Sequence, residues 1–507
     1  MGTSVSPRLQ PLLVDLNDEQ VAAVTADYHH HILVLAGAGC GKTTVLTRRI
    51  SYLIENGFES SSLCALTFTR KAADEMAQRV RSGIKSDTGV PLIHTFHSFA
   101  RTILLDTIDG KPNFKRIGYD TFPRLLERSD RWQMLANLTT KEQRRLYNLD
   151  IASLDNLLAR FEVFPECIKG ITPEKYTYLK GIYERFAEEK KAESLWDFSD
   201  MLNGCLELFR RNEPILNHYR AAFRAVLVDE FQDTNPLQIE IVKLLLGDTI
   251  KLFAVGDDDQ AIYGFRGADI RPTLEFTTVF PGAQIVKLQM NYRSSRSILD
   301  YANKIFRHKD AVYRKVLVAG NKGIPHSGKP EKKIFDTTDL QIAWIEKTAK
   351  KLLAETGIPI DKMVILCRTN ESVSTVMKLI AQKFIELSGI GVLTVHKSKG
   401  LEFPVVFLTD LEESIFPSYR LPQAKPVRSW IDFIRSLFKK HISIDCDWDE
   451  ELRLYYVAVT RAQRFLYLLS VKNKEMYNRL FRLEPSRFLK EGLTRPCLTP
   501  QSPLRKR

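Results

Sequence analysis

Residues 31–53 read His31-Ile-Leu-Val-Leu-Ala36-Gly-Ala-Gly-Cys-Gly-Lys42-Thr43-Thr44-Val-Leu-Thr-Arg-Arg-Ile-Ser-Tyr-Leu53. An apolar run of strand length is followed by small residues, then by apolar positions at helical spacing. That is a strand–loop–helix unit whose loop, Ala36, Gly37, Ala38, Gly39, Cys40 and Gly41, lets successive backbone N–H groups turn towards one anion. The new helix adds the positive end of its dipole. Lys42 is placed for the β- and γ-phosphates of a nucleotide, and Thr43 for its Mg²⁺. The strict phosphate-loop pattern has Gly where this chain has Ala36. A Gly-rich turn without chemistry would leave the Lys-Thr pair unexplained.

Outward from this loop, Arg224-Ala-Val-Leu-Val228 reads as a core strand ending in Asp229-Glu230-Phe-Gln232-Asp233-Thr234. An Asp at a strand tip suits a Mg²⁺ ligand, and Glu230 beside it suits a base that orients water. Two acids after a strand also make an ordinary solvated turn or helix start. Beside a phosphate loop the pair points to ATP hydrolysis.

The chain has 507 residues, enough for several domains, and a formal net charge of +13, which suits a polyanionic partner without identifying one. Its seven cysteines are scattered without a C-x-x-C pair, against a disulfide framework or a zinc site and for a reducing, cytoplasmic setting. No apolar stretch reaches transmembrane length and no signal-peptide core stands at the N-terminus, so no membrane partner is expected. Met1-Gly2-Thr-Ser-Val-Ser6 fits the loose myristoylation pattern, which is short enough to arise by chance.

Strand and helix patterns alternate in two blocks. Leu63–Phe68 reads as a strand, followed by a helix from Lys71 towards Arg81. From Phe99 to Lys191 the pattern is helical and charged, without strong strand candidates, as for an inserted domain. Strands return at Ala225–Val228 and Lys251–Val255, and a second block is expected from near Ile285, with strands at Met363–Leu366, Val392–Val395 and Val405–Leu408. The reading is α/β, with two parallel-sheet units and a cleft between them.

Together the motifs resemble the UvrD/Rep-type superfamily 1A DNA helicases, from about Leu16 to Leu469. In chain order the likeness rests on Leu16-Asn-Asp-Glu-Gln20, the phosphate loop, Thr67-Phe-Thr-Arg-Lys-Ala-Ala73, His94-Thr-Phe-His-Ser98, Asp197-Phe-Ser-Asp200 and the Asp229 motif. It continues through Val255-Gly-Asp-Asp-Asp-Gln260-Ala-Ile-Tyr263-Gly-Phe265-Arg266-Gly-Ala268, Gln289-Met-Asn-Tyr292-Arg293-Ser294 and Val364-Ile-Leu-Cys-Arg368-Thr-Asn370. Thr394-Val-His396-Lys-Ser-Lys-Gly400-Leu-Glu402 and Tyr456-Val-Ala-Val-Thr-Arg461-Ala462 complete it.

The resemblance implies two RecA-like motor domains, the first at 1–98 and 192–284 and the second at 285–475. It implies a helical accessory domain at 99–191 and leaves 476–507 as a basic extension. Gln20 would read adenine, Tyr292 stack on it, Gln260 sense the γ-phosphate, Glu402 accept from the ribose, and Arg293 and Arg461 serve as arginine fingers. ATP and Mg²⁺ are the implied cofactors. Many relatives have Arg where this chain has Thr44, which removes one stacking contribution to adenine binding. For single-stranded DNA the resemblance assigns Thr67, Phe68, His94, Thr95, His97, Tyr263, Phe265, Arg266, His396 and Lys397; Phe96 reads equally well as core.

In full-size relatives a second accessory domain stands between the Arg368 and Thr394 motifs. Here Glu371–Ser388 leaves room for one helix and a short turn. An enlarged segment near 417–448 carries Trp430, Ile431, Ile434, Leu437 and Phe438 on one helical face, for core packing or for docking on DNA or a partner. The tail after Arg495 reads as basic and disordered, and the chain after Arg461 is short for a nuclease domain. The implied activity is ATP-dependent translocation on single-stranded DNA, 3′→5′, with unwinding at single-/double-strand junctions. The alternative is a DNA-stimulated ATPase that strips proteins from DNA without unwinding. A protein partner in repair or replication is left open.

Overall fold

The computed structural model describes residues 10–83, 89–147, 149–163, 172–307, 313–320, 324, 327–418, 448–476 and 479–490. The chain divides into two compact units. The first runs to Tyr292 and takes back Lys309–Val318, and the second takes Arg293–His308 and resumes at Ala319.

In the first unit six strands, β1 (Ile32–Ala36), β2 (Leu63–Thr67), β3 (Leu92–Thr95), β4 (Ala225–Val228), β5 (Lys251–Gly256) and β6 (Gln284–Leu288), form one parallel sheet in the order β6-β1-β5-β4-β2-β3. Every residue of β1, β2 and β4 is buried, which is why these strands read as unbroken apolar runs: helices cover both faces of a parallel sheet. Among its helices are α1 (Asp18–Val24), α2 (Lys42–Glu55), α3 (Arg70–Gly83) and α4 (Phe96–Leu105), then α5 (Arg128–Asn137), α6 (Ile151–Val163) and α7 (Pro173–Ala192) of the insertion, then α8 (Phe198–Arg211) and α9 (Pro236–Leu246). Because all six strands run the same way, the residues after Ala36, Thr67, Thr95, Val228 and Gly256 leave from one edge of the sheet. That edge is where a doubly wound sheet places its ligands.

The insertion has its own core, built on Leu135, Leu154, Leu158, Leu179, Ile182 and Phe186. Short strands that the sequence pattern did not suggest accompany it, among them Arg124–Leu125 paired with Leu195–Trp196. One boundary also moves. The segment expected to open the second block near Ile285 is β6, which pairs with β1 from Ile32↔Gln284 to Ala36↔Leu288, so the division falls between Tyr292 and Arg293. Periodicity marks a strand but does not say which sheet it joins.

The second unit holds a five-stranded parallel sheet of β7 (Glu331–Phe335), β8 (Met363–Cys367), β9 (Gly391–Thr394), β10 (Phe403–Leu408) and β11 (Ala462–Val471), in the order β7-β11-β10-β8-β9. Helices α10 (Thr338–Thr356), α11 (Asn370–Lys383) and α12 (Trp448–Val459) accompany it. Between β8 and β9 stand only α11 and the turn Ile385–Leu387, as the spacing predicts, and Val376 and Ile380 of α11 are buried in this unit's core. The expected amphipathic segment within 417–448 lies almost wholly outside the described residues, as does the tail after Arg495. Among the described residues no helix is long and apolar enough to cross a membrane.

Candidate functional site

The phosphate loop leaves β1 and turns into α2 through Gly39 and Gly41, both left-handed at φ 69° and 83°. Gly41 is the N-cap of α2 and supplies no side-chain cap, leaving the first-turn N–H groups for an external anion. Its φ favours glycine, and a Cβ there would stand 2.6 Å from Gln20 Nε2 and displace that amide from Cys40 O. Ala36 is the last residue of β1 with no positive φ, which is why a methyl group is accepted where the strict pattern has glycine.

Several side chains brace the loop. Gln20 Nε2 donates to Cys40 O at 3.1 Å, while its Oε1 accepts from Asn17 N in a capping box at the start of α1. Asn17 Nδ2 donates to the Tyr292 hydroxyl at 2.7 Å, and Tyr292 N donates to Gly39 O at 3.0 Å. Asn291 Nδ2 donates to Ala38 O at 2.5 Å. The 46 % exposed ring of Tyr292 is thus fixed beside the loop by its own backbone. Glu19 Oε2 accepts from Gln289 N and Met290 N at 2.7 and 3.2 Å, a clamp that nothing in the sequence singled out.

At the tip of β4, Asp229 is buried and Glu230 follows in the left-handed region at φ 48°, a strain of about 1–3 kcal/mol for a non-glycine residue. Lys42 Nζ lies 3.1 Å from Glu230 Oε2. Burial, then the Glu230 charge, pushes the Asp229 carboxyl up to about 7. Burial works against the Lys42 ammonium, but the charges of Glu230, Asp257 and Asp229 outweigh it and raise its pKa. The crowded carboxylates of Asp229 and Glu230 are hard-oxygen donors of the kind Mg²⁺ takes, and Asp229 with Thr43 would hold that ion.

From Glu230 a continuous chain of hydrogen bonds crosses to the next strand end. Gln232 Nε2 donates to Glu230 Oε2 at 2.6 Å, Gln232 Oε1 accepts from Asp257 N at 2.8 Å, and Gln260 Nε2 donates to Asp257 Oδ2 at 2.6 Å. A side chain at Gly256 would meet Gln232 Oε1 at 2.6 Å, so Gly256 keeps this crossing open. The carboxylates of Asp257, Asp258 and Asp259 converge within 4.8 Å of one another, a grouping able to hold a cation, and the buried Lys315 ammonium pairs with all three.

Three residues beyond Gln260, Tyr263 stacks on Phe68 with ring centroids 5.2 Å apart and 14° between planes, and Phe265 adjoins Tyr263 at 6.1 Å. All three rings are partly exposed, giving flat apolar faces at the same sheet edge as the phosphate loop. The side chain of Arg266 lies outside what the structure describes. Thr67, expected at the DNA, is wholly buried at the end of β2. Thr95 is likewise buried, its hydroxyl capping α4 by accepting from Ser98 N at 3.1 Å, and Phe96 is core. Burial lowers the pKa of His94 and brings that of His97 down to about 4, which favours the neutral ring in both.

His97 meets the edge of Phe198, 5.1 Å away, and Phe198 is 52 % exposed. Phe198 belongs to the Asp197–Asp200 motif, and its exposed ring adds a flat face that motif likeness alone does not single out. Its place at the first turn of α8 is secured by an ion network. Asp197 caps the helix, Lys190 Nζ reaches Asp197 and Asp200 at 2.8 and 2.7 Å, and Arg131 joins Asp197 and Asp155 at 2.5 Å each. Burial opposes ionisation of Asp197, but Lys190 and Arg131 hold its carboxyl down at about 2; burial and then Asp197 push Asp200 up to about 6.

In the second unit the expected residues separate to opposite edges of the sheet. Glu402 and Arg461 directly precede β10 and β11, whereas His396 and Lys397 follow β9. Arg293 Nε donates to Glu402 Oε2 at 2.5 Å, and Gln463 Nε2 to Glu402 Oε1 at 3.0 Å. Arg461 is buried, its guanidinium donating to Val457 O and Leu401 O at 3.0 and 3.1 Å and to Thr460 Oγ1 at 3.2 Å. Those bonds hold the fork in one orientation without a carboxylate among these three acceptors. Half-buried His396 sits in a short turn above β9 beside exposed Lys397.

The UvrD/REP helicase N-terminal domain model matches residues 16–281, and the UvrD-like helicase C-terminal domain model matches in two pieces, 286–391 and 381–473. A probable DNA helicase of Mycoplasma pneumoniae is 34 % identical over 487 residues, covering 94 % of this chain and 86 % of its own. DNA helicase II of Escherichia coli is 35 % identical over 328 residues, 62 % of this chain and 44 % of its own. The ATP-dependent DNA helicase PcrA of Staphylococcus epidermidis is 25 % identical over 662 residues, 95 % of this chain and 87 % of its own. That span exceeds the 507 residues available here, so the staphylococcal protein carries internal residues that this chain lacks. With both halves matched in order around this phosphate-loop geometry, the chain belongs to the UvrD/Rep family of ATP-dependent DNA helicases.

Proposed function

We propose that this helicase moves 3′→5′ along single-stranded DNA and opens duplex at the junction, using Mg²⁺-ATP. The observation that carries the reading is the unbroken path Lys42–Glu230–Gln232–Asp257–Gln260, which ends three residues before the Tyr263–Phe68 stack. The residues assigned to phosphate and those assigned to bases thus stand along one edge of the first sheet. Lys42 and the loop N–H groups take the phosphates, Thr43 and Asp229 the metal, and Glu230 orients the attacking water. Gln260 reads the terminal phosphate. Gln20 and Tyr292 flank the adenine, Glu402 takes the ribose, and Arg293 and Arg461 neutralise charge developing in transfer. Phe68, Tyr263, Phe265 and Phe198 offer stacking faces, with His94, His97, His396, Lys397 and Arg266 along the same strand. The polarity rests on family likeness. Duplexes with a 3′ single-stranded tail should be opened with ATP and those with a 5′ tail should not; the reverse preference would refute the assigned direction.

A second reading has its own support. One helix and a turn join β8 to β9, and the C-terminal family model breaks over residues 381–391. A motor without a body at that place translocates and strips bound protein, while gripping duplex poorly. Translocation without strand separation in the tailed-duplex experiment is the result that favours it.

A further inference from the structure

We propose that Lys315 is a positioning residue for the terminal-phosphate sensor, tying it to a chain segment that comes from the second unit and returns to it. The proposal rests on the reading of Gln260 given above. Lys315 is 1 % exposed in its side chain and lies 3.0 Å from Asp257 Oδ1 and 3.0 Å from Asp259 Oδ2, with Asp258 as its third partner. Asp257 and Asp258 are wholly buried. Three carboxylates in a buried turn repel one another, and the turn can close only around a cation. Lys315 supplies that cation from 57 residues away in sequence.

The carboxylate that Lys315 neutralises is also the one that holds the sensor. Asp257 Oδ1 faces Lys315, and Asp257 Oδ2 accepts from Gln260 Nε2 at 2.6 Å. One carboxylate thus stands between ammonium and amide, and a displacement of Lys315 reaches Gln260 through a single side chain. The segment carrying Lys315 is pinned on both sides of it. Val316 N donates to Gln289 Oε1 at 3.0 Å and Val318 N to Gln289 O at 2.9 Å, and Arg314 O accepts from Lys287 Nζ at 3.1 Å. Leu317 is packed against the phosphate loop, close enough that a Cβ at Gly37 would meet its Cδ2 at 2.3 Å. Residues 293–308 before this segment, and the chain from Ala319 after it, belong to the second unit. The ammonium that aims Gln260 through Asp257 is thus carried by a short stretch of the first unit with second-unit chain on both sides in sequence.

The test measures how the terminal phosphate changes the grip on DNA. Dissociation constants for an oligo(dT) strand are taken with ADP and with a non-hydrolysable ATP analogue, and their ratio is compared among variants. In the parent protein the ratio should be about 5-fold or more, the usual size of coupling between two sites. Lys315→Met should bring it to within about 2-fold of unity. A loss of folded protein alone would shift both constants equally and leave the ratio in place. Asp258→Asn, which weakens the hold on Lys315 but leaves fewer buried charges, should reduce the ratio by about 3-fold in a folded protein. A parental ratio in folded Lys315→Met, or in Asp258→Asn should the first not fold, overturns the proposal. Gln260→Ala separates the two layers. If it too keeps the parental ratio, the sensor reading is wrong; if it loses the ratio while the Lys315 variant keeps it, only the role of Lys315 fails.

Discussion

Glu230→Gln is expected to bind ATP and to turn it over about 10²–10⁴-fold more slowly, the usual contribution of a positioned general base. The substitution keeps the size of the side chain and an acceptor oxygen for Gln232 Nε2, which sits 2.6 Å from Glu230 Oε2. It removes the negative charge that faces Lys42 and water. It also leaves the left-handed backbone at residue 230 as it is, so the strain stored there does not confound the comparison. Single-turnover hydrolysis beside equilibrium binding of a fluorescent nucleotide separates the two effects. Turnover at the parental rate would remove Glu230 from the chemistry and leave it as the counter-ion of Lys42.

Tyr263→Ala should weaken the binding of single-stranded DNA by about 5- to 150-fold, the range for loss of one base stack. The ring it removes is one half of the Phe68 pair and the neighbour of Phe265, so the flat surface at the sheet edge is broken at its centre. The dependence on salt distinguishes this from loss of a phosphate contact. Stacking releases no counterions, so the slope of log affinity against log salt should stay parental in Tyr263→Ala and become shallower by about one in Lys397→Ala. Unchanged affinity in Tyr263→Ala would take the ring out of the DNA path.

The parts of this molecule that the sequence disclosed are those whose chemistry is local. The phosphate loop needs glycines at fixed offsets and a helix directly behind it, so Gly39, Gly41 and Lys42 announce themselves in a dozen residues. The buried strands β1, β2 and β4 are visible as apolar runs for the same reason. What remained hidden depends on distant pairing. β6 has the pattern of any strand, and only its register with β1 assigns it to the first sheet. Lys315 is one of many lysines in a basic chain until the fold brings it against three aspartates. Motif membership also does not report exposure: Thr67 is wholly buried, while Phe198, beside the ion network of Asp197, is half exposed. The short connection from β8 to β9 was legible because counting residues suffices there.

Directed movement along one strand driven by ATP is measured by pre-steady-state translocation. Oligo(dT) strands of increasing length, with a fluorophore at the 5′ or the 3′ end, are bound at limiting protein and mixed with Mg²⁺-ATP and a trap. Movement 3′→5′ gives an arrival signal at the 5′ end whose delay grows linearly with length, and at the 3′ end a departure signal without such a delay. A length-independent signal at both ends, with ATP consumed, would contradict it.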